Sequence, residues 1–242
     1  RDLDEIEEML ELGATPRQIF EKNFRYRKYE KLIHSAFIDK RIKDTPLEKK
    51  MWNEYHWGKS GSGKTYTYIR LCEKYTDDNV YLITDYTGGG FDFYADNPAK
   101  VLVLDEFRGQ IPYSQLLSLM DVYSRTQQHC RYKNTYALWE SVIICSILPP
   151  EQVYENMVDT ASRRTDTMRQ FFRRLNVIVY HYKNRKGEYK EFKMRPEDYF
   201  SSDDMIQKAM EYEKSLEEIP EKELHNKIDD EKFNEMFSIK KE

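Results

Sequence analysis

Residues 58–65 read Gly58-Lys59-Ser60-Gly61-Ser62-Gly63-Lys64-Thr65, and three of the chain's 9 glycines fall within the first six of these positions. The spacing G-x-x-x-x-G-K-[ST] is that of a phosphate cradle. Backbone N–H groups must converge on one anion, and side chains at those points would block the approach. A following helix offers its N-terminus to the same charge. Lys64 would reach the β- and γ-phosphates, and the Thr65 hydroxyl would ligate Mg²⁺. The chemistry implied is binding of a nucleoside triphosphate, ATP, with Mg²⁺ as cofactor.

A second group lies forty residues on. Val101-Leu102-Val103-Leu104 delivers Asp105 and Glu106 to the end of an apolar run. That is where ligands bind at the carboxyl edge of an open α/β sheet. Asp105 would hold Mg²⁺ through water, and Glu106 would polarise an attacking water. A switch protein or a small-molecule kinase does not need the second acid, so the pair favours a hydrolase.

Three further patterns carry charge or polarity. No acid occurs from Arg125 to Trp139, where His129, Arg131, Tyr132 and Lys133 are interleaved. Such a hairpin suits contact with phosphates and stacking on bases, or is a solvated loop. His129 and Tyr132 would either stack on bases or pack at the hairpin's base. The run SVIICSILPP ends a buried strand on Ser146, either a γ-phosphate sensor or simply a small residue at a strand end. Arg163, Arg164, Arg169, Arg173 and Arg174 fall within twelve residues with Asp166 between them. They read as a subunit-interface finger, a DNA contact or a solvated helix face.

The elements that must position these groups follow from periodicity. Residues 3–44 read as helices, with Gly13 closing the first and Thr15-Pro16 opening the second. From about residue 51 strands alternate with helices: 51–57, helix 64–75, 80–84, 101–105, helix 113–123, 141–145 and 175–182. Continuous β-branched runs bounded by helices predict a mostly parallel sheet covered on both faces. The fold class is therefore α/β, a P-loop ATPase with a helical segment in front. The expected domains are 1–45 helical, 46–183 ATPase, and a C-terminal extension, 184–242, helical or partly disordered.

Composition bounds the rest. With 242 residues, 39% hydrophobic and 34% charged, the chain fits one sizeable core plus a small accessory unit. The longest apolar runs, Val142–Cys145 among them, have the length of a buried strand, so no membrane partner is expected. Residues 201–242 carry 13 acids against 7 bases, so of the overall −4 the first 200 residues hold +2. That balance argues against a general polyanion binder and leaves room for a local basic groove. Cys72, Cys130 and Cys145 are odd in number and lack metal-pair spacing, which fits free thiols in a reducing compartment. The opening Arg1 in place of Met suggests an excised fragment.

The order of these motifs resembles the superfamily 3 helicase domain of rolling-circle replication initiators, the Rep proteins of circovirus-type viruses and their bacterial plasmid relatives. The likeness runs over residues 2–183, through EKNFRYRKYEKLI, GKSGSGKT, FDFYADNPAKVLVLDEFRG, CRYKNT, SVIICSILPPEQVY and FFRRLNVIVYHYK. It implies an AAA+-like ATPase, a helical oligomerisation segment, a homo-oligomeric ring (a hexamer) and single-stranded DNA as partner. Host replication proteins are a further partner class. It implies that Lys133 sits on a pore hairpin gripping DNA, and that Arg173 or Arg174 is the arginine finger reaching a neighbour's ATP. Where the family's sensor strand ends in Ser/Thr-Asn, here Ser146 is followed by Ile147. The nicking endonuclease that normally precedes this region is expected to lie outside the given sequence. Richness in Lys, Glu, Tyr and Ile leans toward a low-GC plasmid host, hence the cytoplasm, with a host nucleus if the source is viral. The rival reading is a P-loop ATPase that uses nucleotide as an assembly or origin-loading switch without processive unwinding. A small-molecule kinase is disfavoured by Asp105-Glu106 and by the basic hairpin.

Overall fold

A computed structural model describes residues 2–86, 90–130 and 134–217. The chain divides into two units, residues 1–199 and 200–242.

The helical segment comprises α1 (Asp2–Glu11), α2 (Pro16–Lys22), a 3-10 turn over Phe24–Tyr29 and α3 (Glu30–Asp44). Its helices share a small core of their own: Ile6, Leu10, Ile19, Phe20, Tyr26, Ile33 and Phe37. As the Thr15-Pro16 pair predicts, α2 opens on a capping box. The Thr15 hydroxyl accepts from the Gln18 amide at 3.3 Å, and Gln18 Oε1 accepts from the Thr15 amide at 2.9 Å. The same hydroxyl donates to Asp78 at 2.7 Å, fastening α2 to the 3-10 turn Asp77–Asn79 that leads into a strand of the sheet. Further along, Arg41 donates to the Leu138 carbonyl, and Arg125 to the carbonyls of Ile42 and Thr45. The segment expected as a separate 1–45 domain is thus bonded into the 1–199 unit. Thr15→Ala removes the cap and one of Asp78's hydrogen bonds, at a cost of about 1–2 kcal/mol. Thermal unfolding should show a midpoint lowered by about 2–8 °C, with Thr15→Ser retaining most of the stability.

The sheet unit runs β1 (Trp52–Trp57), α4 (Thr65–Tyr75), β2 (Val80–Ile83), β3 (Val101–Leu104), α5 (Tyr113–Leu119), the two-residue strands β4 (Gln127–Gln128) and β5 (Thr135–Tyr136), and β6 (Ser141–Ser146). It continues with α6 (Pro150–Met157), α7 (Met168–Phe172), β7 (Val177–Lys183) and β8 (Tyr189–Met194). The strand order is β2-β3-β6-β1-β7-β8, parallel except for β8, which pairs antiparallel with β7. Both faces are covered, as the apolar runs predict. Val101, Val103, Ile143 and Cys145 pack on one face with Tyr68, Leu71 and Cys72 of α4. Their alternates Leu102, Leu104, Val142 and Ile144 are buried as well. All three cysteines are free thiols.

Two boundaries differ from expectation. The helix predicted over 113–123 stops at Leu119, because the following backbone is taken by tertiary pairing: the Lys49 amide donates to Val122 O, and Glu48 bridges Tyr123. The domain end expected at 183 falls inside the β7–β8 hairpin, so the sheet continues to Met194.

The second unit contains α8 (Ser202–Glu217), with Asp203 and Asp204 in its first turn, where carboxylates favour the helix dipole. Lys208 pairs with Asp204 one turn on. The remainder of the acidic tail lies outside the described residues.

Candidate nucleotide site

The phosphate loop leaves the end of β1, a central strand held between β6 and β7, and enters α4. Its shape forbids side chains where the motif has glycine. Gly58 has φ +154°, and a Cβ there would lie 2.2 Å from the His181 carbonyl oxygen. Gly63 has φ +97° and sits against the Tyr189 ring, where a Cβ would come within 3.0 Å. Lys59, Ser60, Gly61 and Thr65 are exposed, while Ser62 and Lys64 are buried.

The Lys64 ammonium donates to the carbonyls of Gly58 (2.8 Å) and Lys59 (3.0 Å). Burial lowers its pKa, while attraction from Glu106 and Asp105 works the other way. The phosphate loop and the acidic pair, forty residues apart in sequence, follow parallel strands separated only by β6 and so lie at one edge of the sheet. The hydroxyls of Ser62 and Thr67 are buried with no hydrogen-bond partner among the described residues. Unpaired buried hydroxyls cost free energy, and beside a glycine cradle they fit a loop built to receive polar ligand atoms. These features fit a nucleoside triphosphate. Among the described residues no group of three or more His, Cys, Asp and Glu could hold a metal.

The acids are set by β3. The Asp105 amide continues the ladder to Ile83 O at 3.0 Å, and the Tyr86 hydroxyl donates to the Asp105 carbonyl at 2.6 Å. Glu106 then turns into the left-handed region at φ +49°. A non-glycine residue there carries strain, a feature that concentrates at functional sites. Its carboxylate, largely exposed, accepts from Arg108 at 3.0 Å. Strand β6 lies between β3 and β1, with Ser146 level with Trp57, so Ser146 ends between the two motifs. Ser146 is fully buried, and its hydroxyl accepts from the Leu148 amide at 3.0 Å.

The arginines lie elsewhere. Arg173 and Arg174 precede β7, at the edge of the sheet where β1 begins, opposite the phosphate loop. Arg174 is committed locally, pairing with Asp121 at 2.9 Å and donating to Gln170 O at 2.9 Å. Arg173 is exposed. On either side of the basic stretch the chain pairs antiparallel, with Gln127 opposite Tyr136 and Gln128 opposite Thr135. Exposed His129 lines a cavity with Asp85, Tyr86 and Phe91, about 250 Å³ in volume. Arg131, Tyr132 and Lys133 lie outside the described residues.

Behind the loop runs a buried polar chain that the sequence reading missed. Trp52 Nε1 donates to Glu54 at 2.6 Å, Glu54 meets His56 Nε2 at 2.7 Å, and His56 Nδ1 meets His181 Nε2 at 2.8 Å. On the far side, His181 Nδ1 is 3.6 Å from Glu191, which also pairs with Arg70. Burial opposes ionisation of Glu54, but hydrogen bonds from His56 and Trp52 outweigh it and hold the carboxyl at about 2. Burial first, then the neighbouring His56 ring, pushes His181 down to about 2, so it is neutral. The backbone of this neutral histidine is the wall that excludes a side chain at Gly58. The signal was available: Trp52, Glu54 and His56 alternate on one face of a central strand, where polar residues need partners.

Neither a protein-family model nor a curated protein matches the chain. Among solved structures it is similar to S. cerevisiae Hsp104, in an Hsp104:casein complex in extended conformation, at 17% identity and a TM-score of 0.37. The likeness covers 65% of this chain and 34% of that one, so the chain spans about a third of the structure it matches. So distant a likeness leaves the function to be read from the site itself.

Proposed function

We propose that this chain is an ATP-hydrolysing motor, the superfamily 3 type of DNA helicase domain, with an AAA+-like ATPase core that works as a homo-oligomeric ring. The observation that carries the proposal is that the phosphate loop after β1 and the Asp105-Glu106 pair after β3 stand at the same carboxyl edge of a parallel sheet, with only β6 between them. A phosphate loop alone would serve binding; an acid pair at its side adds activation of water. Lys64 and the loop amides would orient the phosphates, Thr65 and Asp105 would hold Mg²⁺, and Glu106 would accept the proton of the attacking water. Mg²⁺ would neutralise charge on the transferring phosphoryl group. The DNA-directed part of the reading rests on the acid-free hairpin and on the order of motifs.

The test is ATP turnover by the purified chain with and without single-stranded DNA, together with displacement of a strand from a forked duplex. Stimulated turnover with displacement supports the motor. Turnover without displacement supports the assembly switch, and no turnover refutes both. If Lys133 grips the DNA backbone, Lys133→Ala should weaken single-strand binding about equally for all sequences. It should lower the slope of log affinity against log salt by about 0.7 per lost contact. Basal ATPase should survive while unwinding fails. A salt titration of oligonucleotide binding with identical slopes and affinities for both proteins would remove Lys133 from the DNA path.

A further inference from the structure

The acids lie to one side of β1, on β3 beyond β6; on the other side lie β7 and β8. The acids and the loop follow parallel strands at the same carboxyl edge of the sheet, so the terminal phosphate of a bound triphosphate belongs on the β3 side. Its nucleoside must then leave the loop toward β7 and β8. There the structure holds a cavity of about 600 Å³, lined by Ser62 and Gly63 of the loop, Tyr66 and Arg70 of α4, and Tyr189 and Glu191 of β8.

We infer that this cavity binds the base of the nucleoside triphosphate, with Tyr189 as its stacking platform and purines favoured by their larger face. The inference rests on the nucleotide reading above. Two large aromatics, Tyr66 and Tyr189, remain 55% and 62% exposed beside the cavity, where an aromatic face can still take a partner. Tyr189 already touches the loop at Gly63. The Lys183 ammonium sits 4.7 Å from its ring centre, which steadies the ring's orientation. Polar edges of a base would meet Arg70 and Glu191, which are paired to each other at the cavity wall. The Ser62 hydroxyl, buried and without a hydrogen-bond partner among the described residues, lies at the junction of cavity and loop. Glu191 also ends the chain from Glu54 through His56 and His181, so the base pocket and the rear wall of the phosphate loop form one connected structure.

The experiment compares ATP with inorganic tripolyphosphate, which carries the charge and lacks the base, by isothermal titration calorimetry. Wild type should bind ATP more tightly. Tyr189→Ala should weaken ATP roughly 10- to 100-fold, the loss of one base–aromatic stack, and leave tripolyphosphate unchanged. Tyr189→Phe should bind ATP as wild type does. Should Tyr189→Ala lose its fold by circular dichroism, Tyr66→Ala on α4 supplies the second variant, with a smaller loss in the same direction. Equal affinity of wild type for both ligands, or an ATP affinity unaffected by either alanine variant, would overturn the pocket while leaving the phosphate site standing. A Tyr189→Ala protein that loses oligonucleotide binding and keeps ATP would reassign the tyrosine to the nucleic acid. Failure of wild type to bind either ligand would instead refute the nucleotide reading itself.

Discussion

Lys64→Ala abolishes nucleotide binding, whereas Glu106→Gln binds ATP with wild-type affinity and turns it over about 10²- to 10⁴-fold more slowly. The two losses differ because the two charges act at different stages. Lys64 is buried at the centre of the loop, where its ammonium bridges the carbonyls of Gly58 and Lys59. Truncation removes the cation that meets the phosphates and also the bonds that draw the loop round that point. Buried charge-assisted bonds count for more than their exposed counterparts, so binding fails outright. Glu106 is exposed, and its truncation to an amide keeps the shape and the approach to Arg108. An amide oxygen cannot take a proton from water at neutral pH, so only turnover suffers. Equilibrium binding of a fluorescent ATP analogue and phosphate release, measured on both variants, separate the roles. A Glu106→Gln protein hydrolysing ATP at the wild-type rate would remove Glu106 as the base.

The parts of this site that could be read from sequence are those whose residues work through backbone geometry or adjacency. The glycines at 58, 61 and 63 declare a cradle because only a cradle needs them, and four β-formers ending in Asp105-Glu106 declare a strand delivering acids. Thr15-Pro16 declares a helix start by local bonding alone, and the capping box is there. What stayed hidden depends on partners distant in sequence. Strand β8 reads YKEFKM, with three charged residues that suit an edge strand and mask its alternation. Its turn was marked all the same: the Asn184 side chain accepts from the amides of Lys186 and Glu188, ahead of Gly187. The pairing of His56 with His181 joins residues 125 apart and left only alternating polar positions on β1 as a trace. Arg173 and Arg174, indistinguishable in sequence, are separated by the structure, since only Arg174 is committed to Asp121.

That separation sharpens the expectation for the finger. Arg173→Ala should lower ATPase roughly 10³-fold or more, the scale on which an arginine placed at a transferring phosphoryl group contributes. It should leave ATP affinity and thermal stability close to wild type, because Arg173 is exposed. Arg174→Ala should instead lower stability, since it breaks an ion pair that is less than 30% exposed on either side and a bond to the Gln170 carbonyl. Arg173 cannot serve its own phosphate loop. Asn176 is level with Asn53 at the start of β1, and the loop begins beyond Trp57, about 17 Å along the strand. If Arg173 is the finger, it would serve the site of an adjacent copy, through a head-to-tail contact of the kind that closes rings. Mixing inactive Arg173→Ala protein with inactive Lys64→Ala protein should then restore activity. At equal mixing, about a quarter of the interfaces would join an intact loop to an intact arginine. Rescue that peaks near a one-to-one ratio is the expected result; two preparations that exchange subunits and show no rescue at any ratio would place Arg173 outside the catalytic interface.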